Sequence, residues 1–176
     1  MGKHNAVLLR DFLDSDVESL KRILNDDSVT RFLSTKIPSP YTTDDAVWWV
    51  NEGSKGELIK AITVDNCLVG CIGVNRGEFE YNRSGEIGYW LAREYWRQGI
   101  ASCAIQRITN FVFSNTDIVR VFASVFSDNE ASMQLLLKSD FNQEAVLENA
   151  IYKNGRFYNN HIFAKVKPSL GATRPL

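Results

Sequence analysis

A change of hydrophobic period in the middle of the sequence is the feature that most constrains how this 176-residue chain can fold. Residues 84–91 read as a strand, whereas residues 101–113 place apolar side chains at helical spacing along a face that includes Ile108, Phe111 and Val112. Residues 119–126 then read as a second strand. Because a strand–helix–strand passage forms a crossover between parallel strands, the sequence predicts one parallel strand pair.

The remaining segments predict antiparallel strands and short helices. Ser15 and Glu18 form a capping-box pattern before a first amphipathic helix, and Thr43 opens a second. The dipeptides Asp65-Asn66 and Asn154-Gly155 each suit a tight hairpin turn. The expected fold is therefore α/β (α+β). Its predicted strands are residues 6–12, 57–64, 67–74, 84–91, 119–126, 141–152 and 157–166, and its predicted helices begin near residues 15, 43, 101 and 131.

The composition is that of an ordinary globular domain. Lys and Arg number 20 against 21 Asp and Glu, and the resulting formal charge of −1 argues against a dedicated nucleic-acid binder. Hydrophobic residues make up 44% of the chain, which excludes wholesale disorder. We expect a single domain over residues 1–166, followed by a flexible C-terminal tail over residues 167–176.

The cysteines and the start of the chain predict a cytoplasmic protein. Cys67, Cys71 and Cys103 are an odd number, so they do not form a fully paired disulfide framework. The first residues lack the apolar stretch of a signal peptide, and no apolar run approaches the roughly 20 residues of a membrane span. No Cys/His set completes a zinc site, so we expect no metal and no membrane partner.

The loop before the long helix predicts an anion site. The first turn of a helix has unpaired N–H groups and a positive dipole end, which favour a phosphate. The small residues Gly99 and Ala101 let a ligand approach the backbone closely, and Arg93 and Arg97 add positive charge. Because the dipole alone contributes only about 0.3–1 kcal/mol, a diphosphate must be held by several N–H bonds together.

Three motifs occur in order along the chain. The first is Glu86-Ile87-Gly88-Tyr89-Trp90-Leu91 followed by the loop Trp96-Arg97-Gln98-Gly99-Ile100-Ala101. The second is Asn129-Glu130-Ala131-Ser132, and the third is a closing hairpin over residues 152–159. Together they resemble the GNAT superfamily of N-acetyltransferases, and more narrowly its ribosomal-protein N-acetyltransferase, RimJ/RimL-like branch. Trp96 departs from the Gln or Arg that opens the superfamily's loop, and Asn159 replaces the hairpin's common Asp.

The resemblance covers residues 6–165 and implies both a fold and a cosubstrate. The fold is a central mixed, mostly antiparallel twisted sheet of about seven strands with about four helices and one parallel, splayed strand pair. The cosubstrate is acetyl-CoA, whose pantetheine would pair with the backbone of Tyr89, Trp90 and Leu91. Its diphosphate would lie on the backbone amides of the loop and the first helical turn, which belong to Arg97, Gln98, Gly99, Ile100, Ala101 and Ser102.

The resemblance also implies direct transfer of an acetyl group to a primary amine. Glu86 is then the candidate general base, with a pKa raised by burial among apolar neighbours. Ser132 is the candidate hydrogen-bond donor to the sulfur, and Asn129 is both a candidate pantetheine contact and a suitable helix N-cap. In many relatives a Tyr that acts as the general acid stands three or four residues beyond the position of Ser132. This chain has leucines at both positions. Tyr158 is a possible substitute, although a hairpin Tyr more often packs.

The sequence leaves the acceptor and the oligomeric state open. A protein N-terminal amine is favoured, with a small amine such as a polyamine, an amino acid or a drug as the alternative. A non-catalytic acetyl-CoA-binding module is the alternative from another class. One of the adjacent residues Trp48 and Trp49 is expected in the core, and the other beside the acceptor. No Gly-x-Gly-x-x-Gly or Gly-Lys-Ser/Thr motif supports a nucleotide-binding protein. Direct nucleic-acid binding is not expected, and either a monomer or a homodimer is compatible with the sequence.

Overall fold

Seven strands form one mixed sheet in the computed structural model of the protein, which describes residues 7–56 and 58–168. They are β1 (Val7–Arg10), β2 (Ile59–Val64), β3 (Cys67–Arg76), β4 (Ser84–Leu91), β5 (Arg120–Phe126), β6 (Asn142–Lys153) and β7 (Arg156–Val166). The order across the sheet is β1-β2-β3-β4-β5-β7-β6, and β4 runs parallel to β5. The predicted α/β (α+β) class, the seven strands and the parallel pair are therefore confirmed.

Five α-helices connect the strands within the described residues, one more than expected. They are α1 (Val17–Leu24), α2 (Asp27–Thr30), α3 (Thr43–Trp48), α4 (Ile100–Asn115) and α5 (Glu130–Lys138), and a π-helical turn (Trp49–Gly53) extends α3. The additional helix is α2. Its N-cap, Asp26, accepts a hydrogen bond from the Ser28 amide at 2.9 Å, which is sufficient to start a single turn.

Both predicted tight turns are confirmed. Asp65 and Asn66 have φ values of 50° and 65°, and Asn154 and Gly155 have values of 52° and 78°. Positive φ at both central residues matches the right-handed twist of the flanking strands. Parts of three predictions lie outside the described residues, namely Ala6, Glu57 and the tail from residue 169 onward.

Two helices begin with a different capping residue from the one predicted. Before α1, the carboxylate of Asp16 rather than the hydroxyl of Ser15 accepts a backbone hydrogen bond, from the Leu13 amide at 2.9 Å. Before α3, Thr42 rather than Thr43 is the N-cap, and its hydroxyl accepts the Asp45 amide at 3.2 Å. In both places several neighbouring side chains are chemically suitable caps, so residue type alone does not choose among them.

The buried face of α4 also differs from the prediction. Ile108 and Val112 are buried as expected, whereas Phe111 is 41% exposed and Phe113 is buried. A rotation of about 100° per residue places Phe111 at the border of the buried arc, so small differences in packing decide on which side of the border it falls.

One compact unit contains the described residues up to 73 together with residues 89–105. Its core includes the fully buried Leu20 and Ala46, with Phe12 and Tyr41 packed in the same cluster. Asp16 is buried beside this core and accepts two hydrogen bonds from the Arg10 guanidinium, at 2.6 and 2.8 Å. This ion pair ties β1 to the start of α1.

A second compact unit contains residues 74–88 and the described residues from 106 onward. Its largest fully buried side chains include Phe141, Phe163 and Leu136. The carbonyl of Arg83, just before β4, accepts the amide of Val119, just before β5, at 2.8 Å. This bond fixes the level at which the two parallel strands begin.

We expect Asp16→Ala to lower the free energy of unfolding by about 3 kcal/mol, because it leaves the Arg10 guanidinium and the Leu13 amide without their partner. Urea unfolding measures this loss. Asp14→Ala is the matched control, since Asp14 is an exposed acid in the same helical turn, and we expect it to change stability by less than about 0.5 kcal/mol. Equal effects of the two substitutions would contradict the assigned role.

The close approach of β3 to the end of β4 gives a second stability prediction. A Cβ atom at Gly70 would lie 2.3 Å from the Trp90 carbonyl oxygen, so we expect Gly70→Ala to destabilise the protein by about 1–3 kcal/mol. A Cβ atom at Gly88 would meet nothing within 4 Å, and Gly88→Ala should leave the urea midpoint unchanged or raise it slightly. A neutral Gly70→Ala would show that the strands can move apart.

Candidate functional site

The loop between β4 and α4 is held closed by its own side chains. The indole N–H of Trp96 donates to the Leu91 carbonyl at 2.9 Å, and the Gln98 side-chain amide donates to the Glu94 carbonyl at 2.8 Å. Arg97 and Gly99 adopt φ values of 59° and 78°. Two left-handed residues so close together reverse the chain just before the helix begins, and backbone turns of this kind are able to present successive N–H groups to one anion.

The backbone amides of residues 97–102 have no hydrogen-bond acceptor anywhere in the described part of the chain. The first amide after this segment, that of Cys103, donates a hydrogen bond to the Gly99 carbonyl at 3.0 Å. Six consecutive N–H groups, carried by exposed or half-buried residues except for Ile100, are therefore available to a ligand. A Cβ atom at Gly99 would meet nothing within 4 Å, so the space beside the loop is open.

The last residues of β4 would present their backbone, rather than their side chains, to a ligand. Trp90 is partly buried against two core clusters, one containing Leu24 and the other containing Ile23. Leu91 is buried, and Tyr89 is half-buried. A ligand running along this stretch would therefore meet mainly the polar backbone, and the contribution of these three residues to a cosubstrate site stays a prediction.

The parallel ladder of β4 and β5 is short. It pairs Ser84 with Arg120 and ends with Glu86 opposite Phe122, although both strands continue for several residues. Gly88, two residues beyond Glu86 on the same face of β4, is exposed and has open space beside it. This early end of the ladder is the feature that the predicted splayed pair requires.

Glu86 lines a cavity of about 410 Å³ in the second unit. Its carboxylate side chain is exposed, so the expected burial among apolar neighbours is wrong for this structure. The reason is that the core lies on the opposite face of β4, where Ile87 is only 3% exposed. The residues that line the cavity are Asn75, Arg76, Gly77, Tyr81, Ser84, Glu86, Arg120, Phe122 and Ile162.

Two ion pairs hold the arginines of this cavity. The Arg120 guanidinium binds both carboxylate oxygens of Glu144, one of them at 2.8 Å, and these hydrogen bonds lower the pKa of the Glu144 carboxyl. Arg76 donates to Asp117 at 2.7 Å and lowers the pKa of that carboxyl in the same way. Sequence reasoning missed both arginines. Their signal lies in the strand register, which places Arg120 directly across from Ser84.

Asn129 and Ser132 lie together at the start of α5. The Asn129 side-chain oxygen accepts the Ser132 amide at 3.3 Å, so the predicted N-cap is confirmed. The Ser132 side chain is half-buried. The ring of Tyr158 packs edge-on against Phe126, with 5.3 Å between ring centroids, as the packing alternative predicts.

Asn159 and one of the two adjacent tryptophans have structural roles. Asn159, which stands where the family's common Asp is expected, accepts the Asn149 amide at 3.0 Å and thereby fastens a bulge in β6. Trp49 packs edge-on against Phe12 in the core, whereas Trp48 is 53% exposed. The expectation that one of the two tryptophans is internal is therefore confirmed.

Two kinds of site are absent from the described residues. None of the helices found there is long and apolar enough to cross a membrane. In the same ranges, His, Cys, Asp and Glu side chains form no group of three or more that could hold a metal ion.

Comparison with known proteins connects these features to a family. The model of the acetyltransferase (GNAT) domain matches residues 6–142. The chain is 33% identical to the uncharacterized N-acetyltransferase YoaA of Bacillus subtilis, over 93% of this chain and 95% of that protein. It is 31% identical to the ribosomal-protein-serine acetyltransferase of Escherichia coli, over 56% of this chain and 55% of that protein.

Among solved structures, RimL, a ribosomal alpha-N-protein acetyltransferase in complex with coenzyme A, aligns with a TM-score of 0.80. The identity is 23%, and the alignment covers 92% of this chain and 94% of that one, so this likeness concerns the fold. The predicted resemblance, including its RimJ/RimL-like direction, agrees with these relatives. The match to the family model and the identity to YoaA show that the chain belongs to the GNAT family of N-acetyltransferases.

Proposed function

We propose that this GNAT acetyltransferase moves the acetyl group of acetyl-CoA to a primary amine, with a protein N-terminal amine as the favoured acceptor and Glu86 as the general base. One observation carries the proposal. The strand that bears Glu86 leads directly into a loop and helix start whose six consecutive amides have no acceptor in the described chain. The ribosomal-protein-serine acetyltransferase among the relatives supports the choice of a protein amine.

The amides of residues 97–102 would hold the diphosphate of coenzyme A. A diphosphate has several acceptor oxygens, and backbone N–H groups at a helix start bind such anions through charge-assisted hydrogen bonds. Gly99 lacks a side chain that would keep the phosphate away from the backbone. The exposed guanidinium of Arg97 adds positive charge beside the same amides.

The backbone of Tyr89, Trp90 and Leu91 would pair with the pantetheine amides, as a further strand pairs with a sheet. Trp90 would contribute least of the three, because its side chain packs in the core and its carbonyl lies against Gly70 of β3. Asn129 would contact the pantetheine as well, using the part of its side-chain amide that the helix cap leaves unused.

In the reaction, the amine nitrogen forms a bond to the thioester carbonyl carbon and the carbon–sulfur bond breaks. Glu86 takes the proton that the amine loses, directly or through a water molecule. An exposed carboxylate also attracts an incoming ammonium group and orients it before deprotonation. Coenzyme A leaves as the thiolate, and the Ser132 hydroxyl would stabilise this thiolate by donating a hydrogen bond to the sulfur.

The competing candidate is a module that binds acetyl-CoA without transferring the acetyl group. One observation favours it. Leu135 and Leu136 stand at the positions where many relatives have the Tyr that acts as general acid, so this chain lacks that acid there. Turnover distinguishes the two candidates. Acetylation of any amine in a broad panel of peptides and small amines supports the enzyme, whereas binding of acetyl-CoA with no acetylated product supports the module.

We expect Gly99→Glu to raise the Kd for acetyl-CoA about 100-fold or more, which corresponds to about 2.7 kcal/mol. The new side chain would fill the open space beside the loop and bring a negative charge to the diphosphate. Isothermal titration calorimetry measures the affinity.

Gly155→Glu is the matched control for this substitution. Gly155 has the same φ of 78° and the same open surroundings, but it lies in the β6–β7 hairpin turn. Both variants therefore carry the same backbone strain, and only Gly99→Glu should lose affinity. An unchanged Kd for Gly99→Glu would remove the assignment of the loop.

We expect Glu86→Gln to lower kcat/KM about 100-fold near pH 7, which is the low end of the usual range for general-base catalysis. The deficit should shrink as the pH rises, because the acceptor amine then loses its proton unaided. Glu148→Gln, at an exposed acid of β6 outside the cavity lining, is the control and should leave the rate unchanged. A loss that does not change with pH argues against a base at this position.

A further inference from the structure

The charged residues that line the Glu86 cavity are two arginines and one glutamate. Arg76 and Arg120 line it together with the single carboxylate of Glu86, while their partners Asp117 and Glu144 are not among the lining residues. A ligand inside the cavity therefore meets two guanidinium groups and one carboxylate. Asp117 and Glu144 largely balance the charge of the two guanidinium groups, so these walls select by the groups they expose. An amine suits the Glu86 carboxylate, and an anionic oxygen suits the remaining guanidinium N–H groups.

Both guanidinium groups keep donors for a ligand. Arg120 uses one N–H from each terminal nitrogen in its two-pronged contact with Glu144, and a guanidinium has five N–H groups. Within the described chain, Arg76 donates hydrogen bonds through Nη1 alone. This nitrogen donates to the Asn82 carbonyl and to Asp117, at 2.7 Å each. The carboxylate partners thus fix the orientation of the arginines without occupying all of their donors.

An aromatic turn adjoins the same cavity. Tyr81 lines the cavity and is 73% exposed, and Phe79 is 80% exposed with a φ of 50°, which is rare for an aromatic residue. The turn is closed by hydrogen bonds from the Gly77 amide to the Ser84 carbonyl and from the Tyr81 amide to the Glu78 carbonyl, each 2.9 Å long. Two large rings are therefore displayed to solvent on a well-fixed backbone, the arrangement that binding surfaces use for anchoring contacts.

We propose that this cavity is the acceptor pocket and that it selects a protein N-terminus with an acidic side chain at its second residue, the carboxylate binding Arg76 and Arg120. This inference rests on the proposed function and specifies its acceptor. A cavity of about 410 Å³ has room for one or two residues. The rings of Phe79 and Tyr81 extend the contact surface beyond the cavity, toward the rest of an emerging chain.

The test compares peptides that differ at the second residue only, with Glu, Gln or Lys, together with spermidine as a polycationic amine. Acetylated product is measured by mass spectrometry. We expect kcat/KM for the Glu peptide to exceed that for the Lys peptide about tenfold, as two solvent-accessible charge contacts allow. Raising the salt concentration to 1 M should reduce this ratio, because the contacts are screened. Equal or faster acetylation of the Lys peptide or of spermidine overturns the proposal.

Arg76→Gln and Arg83→Gln form a matched pair of variants. Both arginines bind Asp117, but Arg83 does not line the cavity. Arg76→Gln should raise KM for the Glu peptide about threefold and lower the Glu-to-Lys ratio, whereas Arg83→Gln should leave both unchanged. For Arg120, the double variant Arg120→Gln with Glu144→Gln removes the guanidinium without leaving an unpaired carboxylate, and it should lower the same ratio. Equal effects of Arg76→Gln and Arg83→Gln contradict the proposal.

A binding experiment separates this proposal from the proposed function. Fluorescence anisotropy measures the affinity of labelled Glu and Lys peptides for the protein saturated with coenzyme A, so it needs no turnover. Tighter binding of the Glu peptide without acetylation supports the acceptor pocket and counts against the enzyme. Equal binding of the two peptides, or none of either at millimolar concentration, overturns the acceptor pocket. Failure of acetyl-CoA itself to bind counts against the proposed function.

Discussion

The backbone at the start of α4 is the constraint on which the rest of the site depends. A helix cannot satisfy its own first amides, and here the two left-handed residues Arg97 and Gly99 lengthen the unsatisfied run to six. Exposed amides of this kind are stable in water and bind anions when one is present. The side chains of Trp96 and Gln98 bond back into the loop, which keeps the amides free of internal partners and fixes their direction.

Strand β4 connects this loop to Glu86, and its side chains alternate between a buried face and an exposed face. Ile87 and Leu91 are buried and hold the strand in place, while Glu86 and Gly88 are exposed on the other face. The parallel ladder ends at Glu86, so the strand keeps regular geometry after it stops pairing with β5. Gly70 permits close contact between β3 and the Trp90 carbonyl, so the end of β4 is held by β3 alone where its pairing with β5 has stopped.

Ion pairs in this protein serve mainly to position groups. Asp16 is buried, and its loss would leave Arg10 and a backbone amide unpaired, so this pair contributes to stability. The pairs of Arg76 and Arg120 are partly exposed and contribute little to stability, but they hold two cations in the wall of one cavity. The same kind of contact therefore supports the fold in one place and fixes charged groups in the wall of the Glu86 cavity in another.

The sequence by itself determined the features that depend on near neighbours along the chain. The turns at Asn66 and Gly155, the Asn129 cap, the loop around Gly99 and the motifs that identified the family all rest on local chemistry. Only the tertiary structure decided the exposure of Glu86 and Phe111, the choice of Asp16 over Ser15 as a cap, and the gathering of Arg76, Tyr81 and Arg120 around one cavity. The physical reason is that burial and strand register depend on which distant segments pack together, and no spacing along the chain encodes that choice.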